Sequence, residues 1–369
     1  MSVFVGRERE LAELRAALDA AFAGDGAFIL VAGEPGIGKT RLANEFGREA
    51  VERGARVLRG GNFEGGAPPY WPWVQVLRAT LTEPSSTRTS LAEPSSGGQS
   101  LLELRELLPE TALTEGLEPD LARFRLFDSV TNVLRTHAAI QPLVILLDDL
   151  QWADESSLLL LQFLGRDLVG TRMVLLGAYR DVEAHHRPEI GRRIAAVACD
   201  ARTVALSDLA QGEVAALIEQ ATHRPAPEQV AAAVHRATGG NPLFVDELVR
   251  SLVAEGKFDA SISAARLPLP ERVRAMIRRR TDHLSDACRR VLAVGAVIGR
   301  DFDLAAIAPA CAARGDQPLA SLDEARKAHI VSGAGGRFAF IHDLFREALY
   351  DALAPDERRS LHGAVGAAL

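Results

Sequence analysis

The chain has 369 residues, which at roughly 100 to 200 residues per domain points to two or three domains and excludes a peptide or disulfide scaffold. Hydrophobic residues make up 47% and charged residues 25%, so most of the chain is expected to fold rather than stay disordered. A formal net charge of -7 argues against chain-wide affinity for nucleic acid or anionic membrane, leaving only a local basic patch open.

The first 22 residues set out an amphipathic helix: Leu11, Leu14, Leu18 and Phe22 recur at helical spacing from Glu8 onward. Ala27 to Ala32 then reads as a strand buried on both faces, followed by a Gly-rich loop and a helix from Lys39 carrying Leu42 and Phe46. Further strands are expected at Arg56 to Arg59, Leu143 to Leu147 and Met173 to Ala178, with helices near 121–138 and 155–168. Such alternation predicts a parallel sheet covered by helices on both faces. The stretch 81–100 repeats EPSS, holds few large apolar residues and reads as a mobile loop. Before it, Pro68-Pro69-Tyr70-Trp71-Pro72-Trp73 reads as a rigid turn packing its rings on the sheet, or else as a partner-binding cluster.

After Asp200 only Thr203 to Leu206 keeps a strand pattern. Helical segments follow at 211–221, 227–237 and 243–255, then a Pro-containing linker from Phe258 to Pro270. Helices near 271–283, 285–297, 320–328 and 343–354, with a turn and strand at Gly335 to Phe340, suggest a winged helix. Cys199, Cys288 and Cys311 lack CxxC spacing and read as reduced core residues, with neither a disulfide framework nor a zinc site indicated. Without a leader pattern or an 18-residue apolar run, a cytoplasmic location without membrane partners is expected.

Three groups of residues carry chemistry. Gly33-Glu34-Pro35-Gly36-Ile37-Gly38-Lys39-Thr40 fits GxxxxGK[ST] between a buried strand and a helix. There the glycines let backbone N–H groups surround a polyphosphate, the helix N-terminus adds partial positive charge, Lys39 neutralises phosphate, and Thr40 offers its hydroxyl to Mg²⁺. The apolar run Leu143 to Leu147 ends in Asp148-Asp149 at the edge where open α/β sheets bind ligands. Asp148 is read as holding Mg²⁺ and Asp149 as orienting or deprotonating the attacking water, the alternative being a helix cap. Arg180, after the fourth strand, is read as sensing a γ-phosphate, or as a member of a structural ion pair. No guanine-specifying Asn-Lys-x-Asp occurs, so the nucleotide is read as ATP/ADP.

With these residues the chain resembles the signal-transduction ATPases with numerous domains (STAND), in the branch of large ATP-binding LuxR-type transcriptional regulators. The resemblance rests on Phe4-Val5-Gly6-Arg7-Glu8, the phosphate loop with Arg41-Leu42, Pro69 to Trp73, Leu147 to Asp154, Gly239-Gly240-Asn241-Pro242-Leu243-Phe244 and Phe340-Ile341-His342-Asp343. It implies a P-loop nucleotide-binding domain over 1–207, a helical lid over 208–260, and a winged helix with the start of a following helix over 268–369. It also implies that Val5, Gly6 and Arg7 lie against the adenine, that Pro242 packs near the base, and that His342 reaches a β-phosphate of ADP. Relatives usually continue into sensor repeats and a DNA-binding effector, so a chain stopping at Leu369 is expected to be a fragment or to act through another protein.

The function this implies is a slow ATP-hydrolysing switch that takes a second input from a protein or inducer, with self-association open. Two alternatives stand beside it. One is a steadily turning-over oligomeric AAA+ ATPase, with Arg192-Arg193 as the tandem candidate for an arginine finger; the other, less favoured, is direct DNA binding through residues 271–300, which hold eight arginines against three acids.

Overall fold

The computed structural model describes residues 4–64, 67–81, 118–180, 188–254, 270–312 and 316–368. Of the loop expected at 81–100, Leu81 ends a helix and the rest lies outside the described residues, as does the linker before Pro270. The chain divides into two units, one of Arg7–Ser207 and one of Asp208–Leu369 together with the residues up to Gly6.

The first unit contains α1 (Glu8–Phe22), β1 (Ala27–Ala32), α2 (Lys39–Glu52), β2 (Arg56–Gly61), α3 (Trp71–Leu81), α4 (Pro119–Ile140), β3 (Leu143–Asp148), α5 (Glu155–Gly165), β4 (Met173–Tyr179), α6 (Pro188–Ala198) and β5 (Arg202–Ala205). Its five strands are all parallel, in the order β2-β3-β4-β1-β5. The central strands bury both faces, which explains their unbroken apolar runs in the sequence: Phe28 to Ala32, Leu143 to Leu147 and Met173 to Ala178 are all buried. The helical stripe Leu11, Leu14 and Leu18 is buried as its spacing predicts.

The aromatic segment makes the expected turn, Trp71 N donating to Pro68 O at 3.1 Å, and beyond that expectation continues into a helix. Pro72 falls in the first turn of α3, where its missing N–H is tolerated, and Tyr70 at φ 64° redirects the chain into the helix. Tyr70, Trp71 and Trp73 are buried, and Trp73 Nε1 donates to Ser157 O at 3.0 Å. A correction concerns Cys199, which is exposed, whereas Cys288 and Cys311 are buried. The inward stripe of α6, Ile190, Ile194 and Val197, ends before it. Burial pushes the Cys288 thiol up to about 12, as suits an inert core thiol.

The second unit contains α7 (Gln211–Thr222), α8 (Glu228–Thr238), α9 (Pro242–Ala254), α10 (Glu271–Thr281), α11 (Asp286–Ile298), β6 (Asp301–Asp303), α12 (Leu304–Ala312), α13 (Pro318–Lys327), β7 (Val331–Ala334), β8 (Arg337–Phe340), α14 (Asp343–Ala352) and α15 (Pro355–Ala368). Its strands form an antiparallel sheet in the order β6-β8-β7, and one core runs from Leu209 to Val365. The sequence reading missed β6, too short for periodicity, and α12, an evenly apolar run with Pro309 inside it.

Glu347 on α14 makes the stability of this unit depend on pH. Burial raises its carboxyl to about 7 from an ordinary 4.5, with Arg346 opposing the shift and Asp343 and Asp351 adding to it. Between these values the folded state holds more protons than the unfolded one, so stability falls as pH rises through the window. With the side chain only 20% exposed, Glu347→Gln is expected to be more stable than wild type at pH 8 by on the order of 2 kcal/mol. The two should converge at pH 4 in urea denaturation; a pH-independent difference would refute the assignment.

Candidate functional site

Parallel register assembles the site, because the C-terminal ends of all five strands come level. Ala32 pairs with Tyr179 and Ala205, Gly61 with Asp148, and Leu147 with Gly177. The residues that follow, namely Gly33, Arg180, Asn62 and Asp149, therefore share one edge of the sheet, where such sheets bind ligands.

Gly33, Gly36 and Gly38 of the phosphate loop have φ of 154°, 80° and 103°, in a region that favours glycine. Lys39 is buried at the start of α2, and its Nζ donates to Gly33 O at 2.7 Å and Glu34 O at 2.8 Å. Pro35 is half-buried, Ile37 is buried and Arg41 is exposed. Arg7, at φ 73°, buries its guanidinium, which donates to Ile37 O at 3.2 Å and also to Ser207 O.

Thr40 Oγ1 donates to Asp148 Oδ2 at 2.7 Å, so the hydroxyl and the carboxylate expected to share a metal meet directly. Burial pushes the Asp148 carboxyl above the ordinary aspartate value, and Asp149 adds to this. The Thr40 hydroxyl, the Asp149 amide and Lys39 pull it back. These oxygen donors fit Mg²⁺, a hard cation that binds through few protein ligands and keeps several waters. Arg59 on β2 also feels the Asp148 charge, although its own burial holds the guanidinium below its usual value.

Asp149 takes a left-handed backbone at φ 54° and ψ 46°, which aspartate tolerates better than most side chains. Its Oδ1 lies 3.2 Å from Arg180 Nε and accepts from Gln151 Nε2 at 2.7 Å. Arg180 is thus a sheet-edge arginine that is ion-paired to Asp149. Arg193 pairs with Glu155, and Arg192 Nε donates to Pro188 O at 3.3 Å.

Three side chains at this edge were given no role in the sequence reading, although Gln151 and Asp154 lie in the Leu147 to Asp154 stretch that carried the resemblance. Asn62 donates Nδ2 to Asp148 O at 2.9 Å, while its buried Oδ1 accepts no hydrogen bond from the described residues. Asp154 caps α5 by accepting from Ser157 N at 2.9 Å and also accepts from Tyr70 N at 3.2 Å, which anchors the far end of the Asp149 turn. Gln151 is fully buried between Asp149 and Arg180. In sequence, only its nearness to a strand end signals Asn62.

In the second unit, Val5 is half-buried and Gly6 has φ 70°. Pro242 is half-buried and opens α9, with Asn241 Oδ1 accepting from Leu243 N at 3.2 Å. The His342 ring is wholly buried, 5.5 Å from Phe244 edge-on and 5.7 Å from Phe345 in a stack.

Residues 3–176 match the AAA ATPase domain, and residues 211–256 match a domain of unknown function. An uncharacterised protein of Rhizobium meliloti (strain 1021) is 23% identical over 386 residues, covering 97% of this chain and 36% of its own length. Among solved structures, the Walker-type ATPase of Pyrococcus abyssi shares 14% identity at a TM-score of 0.59, over 94% of this chain and 96% of that one. A STAND protein with a tetratricopeptide repeat sensor from Pyrococcus horikoshii shares 17% identity at a TM-score of 0.43, over 98% of this chain and 45% of its own. The chain thus spans less than half the length of the Rhizobium relative and of the STAND protein. Residues 3–176 thus match the AAA ATPase domain, with the phosphate loop and the acid-tipped third strand inside the matched stretch, and the fold is that of the Walker-type ATPase of Pyrococcus abyssi.

Proposed function

We propose that the chain is a slow, regulatory ATPase switch of the STAND type, the ATPase part of a transcriptional regulator whose sensor and DNA-binding effector lie elsewhere in the full protein. The observation that carries the slow rate is the pairing of Asp149 with Arg180, which occupies the two groups hydrolysis needs. In this reading the phosphate loop from Gly33 to Thr40 cradles the phosphates, with Arg41 beside it. Lys39 neutralises charge, Thr40 and Asp148 hold Mg²⁺, and Arg180 senses the γ-phosphate. When bound, Mg²⁺ would balance the negative charge that phosphoryl transfer spreads over the phosphate oxygens. Asp149 orients the attacking water and takes its proton as the water oxygen bonds to the γ-phosphorus. The bond from phosphorus to the β–γ bridging oxygen breaks, and its electron pair leaves on ADP.

Roles for Val5, Gly6, Arg7, Pro242 and His342 at the nucleotide rest on the family resemblance, as do the lid over 208–260 and the winged helix over 268–369. The paired state of Arg272, Arg274, Arg289 and Arg290 with neighbouring acids supports the view that the basic stretch is a solvated face and not a DNA contact.

The test is to denature freshly purified chain, identify and count the released nucleotide, and compare it with steady turnover. About one ADP per chain with turnover well below the ~10 s⁻¹ typical of enzymes is expected. An empty chain with brisk turnover that rises with protein concentration would put the oligomeric AAA+ alternative in its place.

A further inference from the structure

Gln151 lies two residues beyond Asp149, in a short 3-10 turn over Leu150–Trp152. That turn, closed by Trp152 N donating to Asp149 O at 2.9 Å, folds the Gln151 side chain back over the acid. The side chain is fully buried, and both ends of its amide are used. Its Oε1 accepts the backbone N–H of Arg180 at 3.0 Å, and its Nε2 donates to Asp149 Oδ1 at 2.7 Å. Because a backbone N–H only donates, the first bond fixes which way the amide faces, so the end presented to Asp149 is the donor.

The geometry points to Gln151 as a positioning residue for ATP hydrolysis: it ties the Asp149 carboxylate to the end of β4, so that Asp149 keeps its orientation when the Arg180 guanidinium leaves it for a γ-phosphate. This deepens the proposed function and rests on it. Two donors share Asp149 Oδ1, and they differ in kind. Arg180 is a cation, 31% exposed on a long side chain, whereas Gln151 is neutral, enclosed and anchored at its other end. With Oδ1 held, Oδ2 is the oxygen left to face the water. A backbone anchor also leaves β4 in place while the guanidinium moves.

The chemistry of the amide supplies a discriminating variant. Gln151→Glu keeps an oxygen for the Arg180 N–H and places a carboxylate oxygen where the donor to Asp149 stood, so it breaks one bond and preserves the other. In the full chain, single-turnover ATP hydrolysis by Q151E is expected to fall about 10- to 100-fold, a fraction of what a general base supplies. ADP affinity should stay within about threefold of wild type by calorimetry. The decisive comparison repeats the substitution in an Asp149→Asn background. A residue acting through Asp149 then adds less than about a twofold further loss, whereas a merely structural one slows both backgrounds alike. Should Q151E fail to fold, Gln151→Met, uncharged and of similar length, enters the same cycle.

Equal losses in both backgrounds, or a wild-type rate for the single variant, would overturn the assignment while leaving the ATPase reading intact. A wild-type rate for Asp149→Asn alone would instead remove Asp149 from hydrolysis, and Gln151's role with it.

Discussion

Lys39→Ala is expected to weaken ADP and ATP binding about 100-fold and to reduce the thermal stabilisation that nucleotide gives the wild type. The ammonium sits in the loop it serves, 2.7 Å from Gly33 O and 2.8 Å from Glu34 O, so it is already placed where a polyphosphate enters. Charge-assisted bonds to phosphate are worth roughly 1.5–3 kcal/mol each, and removing the cation also leaves two loop carbonyls without their donor. Lys39→Arg should not rescue binding, since a planar fork cannot reproduce a compact ammonium with donors aimed at two carbonyls and at phosphate. The measurement is a melting curve with and without 1 mM ADP, read beside calorimetric affinity. An ADP-induced shift as large in the variant as in wild type would mean that the nucleotide binds elsewhere.

The largest expected effect on folding is that of Gly240→Ala, with a loss of about 3 kcal/mol or more. Gly240 has φ 87°, and a Cβ built there would lie 2.2 Å from Leu209 O, a backbone atom that no rotamer change can move. The two strands of chain are also tied by Leu209 N donating to Gly240 O at 2.9 Å, so they cannot simply separate. Strain of this kind adds to the clash instead of replacing it. Gly212→Ala is the control: it lies in α7 with nothing near the added methyl, and should be neutral or stabilising by up to about 1 kcal/mol. Urea denaturation of both variants decides it, and equal stabilities would refute the close approach.

The sequence by itself determined the P-loop class and the order of the central elements. Strands buried on both faces leave unbroken apolar runs, as at Leu143 to Leu147, and a phosphate loop needs its glycines at fixed spacing whatever surrounds it. Lys39, Thr40, Asp148, Asp149 and Arg180 were therefore legible as residues. Their partners were not. That Thr40 meets Asp148 across 108 positions, that Arg180 pairs with Asp149, and that Gln151 joins them follow only from a parallel register that levels the ends of β1, β3 and β4. The contacts of Asn62 with Asp148 and of Asp154 with Tyr70 were hidden for the same reason, since a polar side chain's partner is not known until the neighbouring segment is. Short elements such as β6 and helices interrupted by proline such as α12 carry too little periodicity to be read locally. Local pattern fixes what each segment is; which side chains act together is decided by pairing between segments far apart in the chain.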